Sequence, residues 1–203
     1  MANISVNDIT TSNETGIATF TVTLSEAVGS DVTVDFTTSS QTLNFTAADI
    51  TTSADGARDV YVGDIDGDGD LDIVSASATD DTIAWYENDG AADPTWSAAD
   101  IATSADGARD VHVADMDGDG DLDIVSASWI DSTIAWYEND GAANPSWTAV
   151  DIDTSADGAA DVHVADMDGD GDLDIVSASY LDDTITWYEN DGAADPTLSL
   201  IHI

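Results

Sequence analysis

Apolar and polar positions alternate with a period of two along much of this chain, and nowhere do they follow the period of a helix. Around Val60, Tyr61 and Val62, and again from Leu71 to Ser75, β-branched and apolar residues are bounded by Gly, Asp and Asn clusters that favour turns. That pattern predicts two strands joined by a polar loop. A third run, Ile83 to Glu87, puts Ile83 and Trp85 on one face of a strand, and a fourth short strand is expected from Trp96 to Ile101. The whole succession then returns. Ile101–Asp151 aligns with Ile152–His202 at an offset of 51 residues with 38 of the 51 positions identical, and an earlier copy runs from Ile50 to Asp100. Four strands in 51 residues is the size of one propeller blade.

The fourth-strand pattern occurs once more than the others, since Leu43–Ile50 opens the array and Pro196–Ile203 closes it. Three blades are fewer than the roughly four to eight of a closed propeller, so open edges and a half-covered core are expected. Residues 4–39 have another composition, rich in Thr and Val, with alternation at Ala18, Phe20, Val22 and Leu24 and again at Val32, Val34 and Phe36. They read as three or four antiparallel strands, about half of a sandwich, which needs a partner surface. The expected fold is all-β: three propeller-type four-stranded blades in tandem over residues 41–203, after an N-terminal partial β-sandwich in residues 1–40.

Charge narrows the function. The chain carries 43 Asp and Glu against 2 Arg, no Lys and no Cys, a formal net charge of -41. Phosphate neutralisation needs clustered cations, so a nucleic-acid partner is excluded, and an anionic membrane surface repels the chain for the same reason. No apolar run approaches the roughly 20 residues of a spanning helix, so no membrane insertion is expected. Without Cys, disulfides and thiolate chemistry are absent together.

The acidic residues are concentrated in a nonapeptide that occurs three times: Asp64, Asp66, Asp68, Asp70 and Asp72; Asp115, Asp117, Asp119, Asp121 and Asp123; Asp166, Asp168, Asp170, Asp172 and Asp174. Close carboxylate pairs repel by about 1 kcal/mol even in bulk water, and a hard divalent cation resolves that repulsion. Oxygen donors at positions 1, 3 and 5 with Gly at 6 match the first half of an EF-hand loop and suit Ca²⁺. Ser75 stands at position 12 instead of Glu, and a strand follows instead of a helix. The expectation is a β-hairpin calcium loop with about three Ca²⁺ per chain. In the first loop the side chains of Asp64, Asp66, Asp68 and Asp72 and the backbone carbonyl of Asp70 are the expected ligands, with water completing the shell.

The D-x-D-G-D-G-x-x-D loop between two strands, followed by an aromatic third strand, resembles the FG-GAP or VCBS-type calcium-binding repeat over residues 43–203. The resemblance implies an integrin-like β-propeller of the kind found in extracellular adhesion proteins, lectins and bacterial surface proteins. Residues 4–39 resemble the first half of a Calx-β domain.

Other residues are expected to be structural. His112 and His163 share a repeat position with Tyr61 and read as strand-face packing. Arg58 and Arg109 are expected to pair with nearby carboxylates. Trp85, Trp136 and Trp187 suit a core between blades, whereas Trp129, which replaces Ala78 and Tyr180 of the other repeats, reads as a surface or interface aromatic. No Ser-His-Asp set or Gly-rich phosphate loop stands out, so no enzyme is expected. The chain is therefore expected to be an extracellular or cell-surface, calcium-stabilised structural protein that assembles head to tail with itself into a filament or large oligomer. The rival reading is a carbohydrate-binding propeller lectin or adhesion module that closes as a dimer around glycans.

Overall fold

The computed structural model describes residues 4–6, 22–24, 45–192 and 199–201, with side chains described for 45–192. The chain divides into two compact units, Met1–Thr46 and Ala47–Ile203. In the first unit β1 (Ile4–Val6) pairs antiparallel with β2 (Val22–Leu24), Ile4 opposite Leu24. The rest of the partial sandwich expected in residues 1–40 lies outside the described residues.

In the second unit each repeat folds as one four-stranded antiparallel meander. The first comprises β3 (Ala57–Gly63), β4 (Asp72–Ser77), β5 (Thr82–Asn88) and β6 (Trp96–Ala102); the second β7 (Ala108–Ala114), β8 (Asp123–Ser128), β9 (Thr133–Asn139) and β10 (Trp147–Asp153). The third comprises β11 (Ala159–Ala165), β12 (Asp174–Ser179), β13 (Thr184–Glu189) and β14 (Ser199–Ile201). The described residues are thus all-β with no helix, as the period-two alternation requires.

One expected strand does not form. Residues 45–50 of the opening segment Leu43–Ile50 are not a strand, and Leu43 and Asn44 lie outside the described residues. The cause is topological: each fourth strand pairs with the third strand of its own sheet, Trp85 opposite Ala99 and Trp187 opposite Ile201. Among the described residues no third strand precedes the opening segment, so it has no ladder to join.

Alternation along the strands decides where the core sits. On β5, Ile83 and Trp85 point toward the following sheet, and on β9 the residues Ala135 and Tyr137 point back toward the preceding one. One core cluster therefore joins Ile65, Val74, Ala76, Ile83 and Trp85 of the first repeat to Ala105, Ala108, Val111, Val113 and Tyr137 of the second. The next joins Met116, Val125, Ala127, Ile134 and Trp136 to Ala156, Ala159, Val162, Val164 and Tyr188 of the third. The hydrophobic core is made between sheets. Each fully buried aliphatic or aromatic side chain there contributes about 1.5–3 kcal/mol by leaving water, so a single repeat has little stability without a neighbour.

The first strands β3, β7 and β11 lie side by side. Each carries a bulge at the same place, between Ala57 and Asp59, Ala108 and Asp110, and Ala159 and Asp161. The extra residue re-aims the Asp that follows it. Asp59 accepts a hydrogen bond from the Val111 amide (3.2 Å) and Asp110 one from the Val162 amide (2.7 Å), tying each first strand to the next.

Candidate metal centre

Each acidic nonapeptide is the hairpin between a first and a second strand. Gly67 and Gly69 take φ of 74° and 97°, the left-handed region where a side chain is strained, although a Cβ at either would meet nothing within 4 Å. Glycine stands there for the backbone turn, and that turn folds the loop onto itself. The amides of Asp68, Gly69 and Asp70 donate to Asp66 Oδ1 (3.2 Å), Asp64 Oδ2 (3.1 Å) and Asp68 Oδ1 (2.8 Å). Backbone donors thus orient the three carboxylates before any ion is considered.

The result is one acidic triplet per loop, with one oxygen from each residue within 4.8 Å of the others: Asp64, Asp66 and Asp68; Asp115, Asp117 and Asp119; Asp166, Asp168 and Asp174. The ninth-position residue has a further role. Buried Asp72 accepts from the amides of Ile65 (3.2 Å) and Asn88 (2.8 Å), clamping the loop to the third strand. Asp123 does the same with Met116 (3.1 Å) and Asn139 (2.8 Å), and Asp174 with Met167 (3.0 Å) and Asn190 (2.9 Å). Asp72 and Asp123 stand outside the triplets of their loops, whereas Asp174 is inside its own and Asp170 is not. The carboxylates of Asp70, Asp121 and Asp172 lie against Gly90, Gly141 and Gly192 in the turn after the third strand, where any Cβ would collide with them.

The electrostatics of the triplets call for a cation. Burial holds the carboxyl of Asp66 above its ordinary pKa against the pull of the Asp68 amide, and the charges of Asp68, Asp72 and Asp64 raise it further. Asp117 is raised by burial in the same way, with Asp119 and Asp115 as the like charges. Burial pushes Asp123 up to about 7 despite its amide donors. Asp64 Oδ1 is buried and accepts no hydrogen bond. An orphaned carboxylate oxygen among like charges is costly unless an ion takes it up. Oxygen-only donors on a turn of this shape fit a hard divalent metal ion.

Between repeats, Asn139 is buried and its Nδ2 donates both to Leu122 O of its own loop (3.1 Å) and to Ile65 O of the preceding loop (2.9 Å). Asn190 repeats this with Leu173 O (3.0 Å) and Met116 O (2.8 Å). Among the described residues the Asn88 side-chain amide donates within its own repeat alone, to Leu71 O (3.0 Å). These asparagines and the Asp59, Asp110 pair were missed by sequence reasoning. Their one signal is a polar residue kept at a fixed place in all three repeats.

The remaining candidates are placed as follows. The rings of Tyr61, His112 and His163 follow one another across the first strands at centroid distances of 5.1 and 4.8 Å, the first pair tilted by 58° and the second edge to face at 77°. Trp85 and Trp136 are buried between sheets. The expected ion pairs of the arginines are not formed: among the described residues neither Arg58 nor Arg109 pairs with a carboxylate, and Arg109 lies 4.5 Å over the ring of Trp129. Both arginines are exposed at the bulges, and the neighbouring Asp59 and Asp110 are taken up by amides of the next strand.

With this geometry in view, the comparisons with known proteins are specific. Residues 64–126 and 125–177 match the FG-GAP-like repeat, more than half of the chain and all three acidic loops. The chain belongs to the FG-GAP-like repeat family. No curated protein matches it. No helix among the described residues is long and apolar enough to cross a membrane.

Proposed function

We propose that this is a non-enzymatic, extracellular structural protein whose sheets are the blades of an open propeller, held by Ca²⁺ in each acidic loop, and which assembles head to tail with other copies of itself. One observation carries the reading: the faces at the two ends of the array match. Val60 and Val62 of the first sheet are 61% and 52% exposed, whereas their equivalents Val111 and Val113 are buried under the preceding sheet. At the other end Ile185 and Met167 are 76% and 53% exposed, whereas Ile83, Ile134, Ile65 and Met116 are buried under the following sheet.

The third sheet of one chain therefore offers the side chains that cover a first sheet, in the register used at both internal junctions. The polar bonds follow the same rule: Asp161 stands ready for the Val60 amide of a second chain, and Asn88 for the Met167 carbonyl. Contact of this heterologous kind propagates as a filament unless its rotation closes a ring. Membership of a repeat family typical of extracellular proteins supports the location. Calcium is favoured over softer metals by the all-oxygen donor set.

Sedimentation velocity in millimolar calcium tests the reading with Ile185→Asp. Because Ile185 is exposed within one chain, the variant is expected to keep the thermal midpoint of the monomer while losing the large species formed by the unmodified chain. A wild-type chain that sediments as a monomer overturns the proposal. So does an Ile185→Asp variant that assembles unchanged.

A further inference from the structure

An Asp follows the bulge of every first strand, Asp59, Asp110 and Asp161, and those strands lie side by side. The three carboxylates therefore form a column across the sheets, and Tyr61, His112 and His163, two residues further along, share its face. Opposite them on the second strands stand Ala76, Ala127 and Ala178, which bring no charge. Among the described residues neither arginine pairs with a member of the column.

Like charges on adjacent strands repel, and where no cation relieves them a proton held between two carboxyls does. Place in the column decides where that proton sits. Asp110 has a carboxylate on either side and is half-buried, whereas Asp161 at the end of the column is exposed. Burial holds Asp110 up at about 7 against the pull of the Val162 amide, and the charges of Asp59 and Asp161 and a hydrogen-bonding contact with the Asp59 carboxyl add to the rise. Two carboxyls share a hydrogen bond only when one of them is protonated. His112 is lowered by burial first and by His163 second, against the charges of Asp59 and Asp161, so the ring beside the column is favoured neutral.

Head-to-tail joining, on which this inference rests, turns two end members of the column into interior ones. The first strand of the next chain then follows β11 as β11 follows β7, and covers Asp161 as β11 covers Asp110. We propose that each junction takes up one proton, shared between Asp161 of one chain and Asp59 of the next, so that mild acidity drives assembly. The titratable groups facing that pair are Asp110 and His163 on one side and Tyr61 and Asp110 of the next chain on the other; β12 and β4 offer Ala178 and Ala76. Arg58 precedes Asp59, but its counterpart Arg109 lies over Trp129 and makes no ion pair with Asp59 at the internal junction. A proton bound on joining strengthens association as pH falls, and that contribution is lost as pH rises through the value of the interior carboxyl.

Sedimentation velocity at about pH 6 and about pH 8, in saturating calcium and about 0.15 M salt, tests this. Ordinary carboxyls, with values of about 4, stay ionised across that range, so the general charge of the chain is constant. With an interior value like that of Asp110, association should be about tenfold tighter at the lower pH. Asp161→Asn keeps a carbonyl oxygen for the Val60 amide of the next chain and needs no proton, so its association should change less than about twofold. Asp59→Asn, which alters the other half of the pair, should do the same, and His163→Gln should keep the full change. Wild-type association that is indifferent to pH overturns the proposal, as does wild-type dependence in both Asp variants or its loss in His163→Gln. A chain that is monomeric at both pH values overturns the head-to-tail reading as well, whereas assembly without pH dependence overturns the shared proton alone.

Discussion

Replacing Asn139 by Ala separates the stability that belongs to a repeat from the stability that belongs to a junction. Asn139 donates to Leu122 O and to Ile65 O and accepts from the Gly141 amide (3.0 Å). Asn88, its counterpart in the first repeat, donates to Leu71 O and accepts from the Gly90 amide (3.1 Å). Two bonds are common to both, and only the bond to Ile65 O crosses between sheets. A net hydrogen bond is worth about 0.5–1.5 kcal/mol, and a buried carbonyl left unpaired costs about 1–3 kcal/mol. Asn139→Ala should therefore destabilise by about 3–4 kcal/mol and Asn88→Ala by about 1–2 kcal/mol. Urea unfolding at saturating calcium, in the monomeric Ile185→Asp background, reads the gap. With slopes of about 1–3 kcal/mol/M, a difference of about 2 kcal/mol separates the two midpoints by roughly 1 M. Asn190→Ala should match Asn139→Ala. Midpoints for Asn88→Ala and Asn139→Ala that coincide would refute the claim that the asparagine amide bonds adjacent repeats together.

Chelation should lower the thermal midpoint and added calcium restore it, because an ion that binds only the native state stabilises by linkage, about 2.7 kcal/mol at a hundredfold excess over its dissociation constant; an unchanged midpoint in calorimetry contradicts a structural ion. Asp66→Ala should remove one ion per chain in equilibrium dialysis and leave the other two loops competent. Burial pushes Asp110 from 3.8 up to about 7, against the pull of the Val162 amide and with the charges of Asp59 and Asp161 adding to it. The folded state thus favours the protonated acid, so its stabilising contribution is complete below about pH 4 and is lost as pH rises through about 7. Asp110→Asn should flatten the decline in thermal midpoint across that window, and an unaltered slope contradicts it. Gly90→Ala should destabilise the first repeat in the same calorimetric assay, since Gly90 has φ of 68° and its missing Cβ leaves room for the Asp70 carboxylate.

Much of the fold was legible because period-two alternation and turn residues act locally. The strand positions around Val60, Leu71, Ile83 and Trp96, the 51-residue repeat and the hairpin setting of the acidic loops all follow from neighbours in sequence. Where partners come from a different repeat, sequence was mute. Leu43–Ile50 carries the fourth-strand pattern, but a strand needs a ladder, and the pattern does not reveal whether one is present. The arginines looked like ion-pair partners because carboxylates surround them in sequence. A one-residue bulge, which no periodicity shows, hands those carboxylates to the next strand instead. In the loops the acid count was plain, while the division of labour between the triplet, the clamp at Asp72 and the packing of Asp70 against Gly90 depends on contacts that only the folded hairpin assembles.

The most direct test of matched ends is negative-stain electron microscopy of the full chain in millimolar calcium. The account predicts fibres or closed rings in which sheets follow one another at a single repeating interval across chain boundaries, dispersed by Ile185→Asp. Uniform single particles of monomer size, unchanged by that substitution, would contradict it.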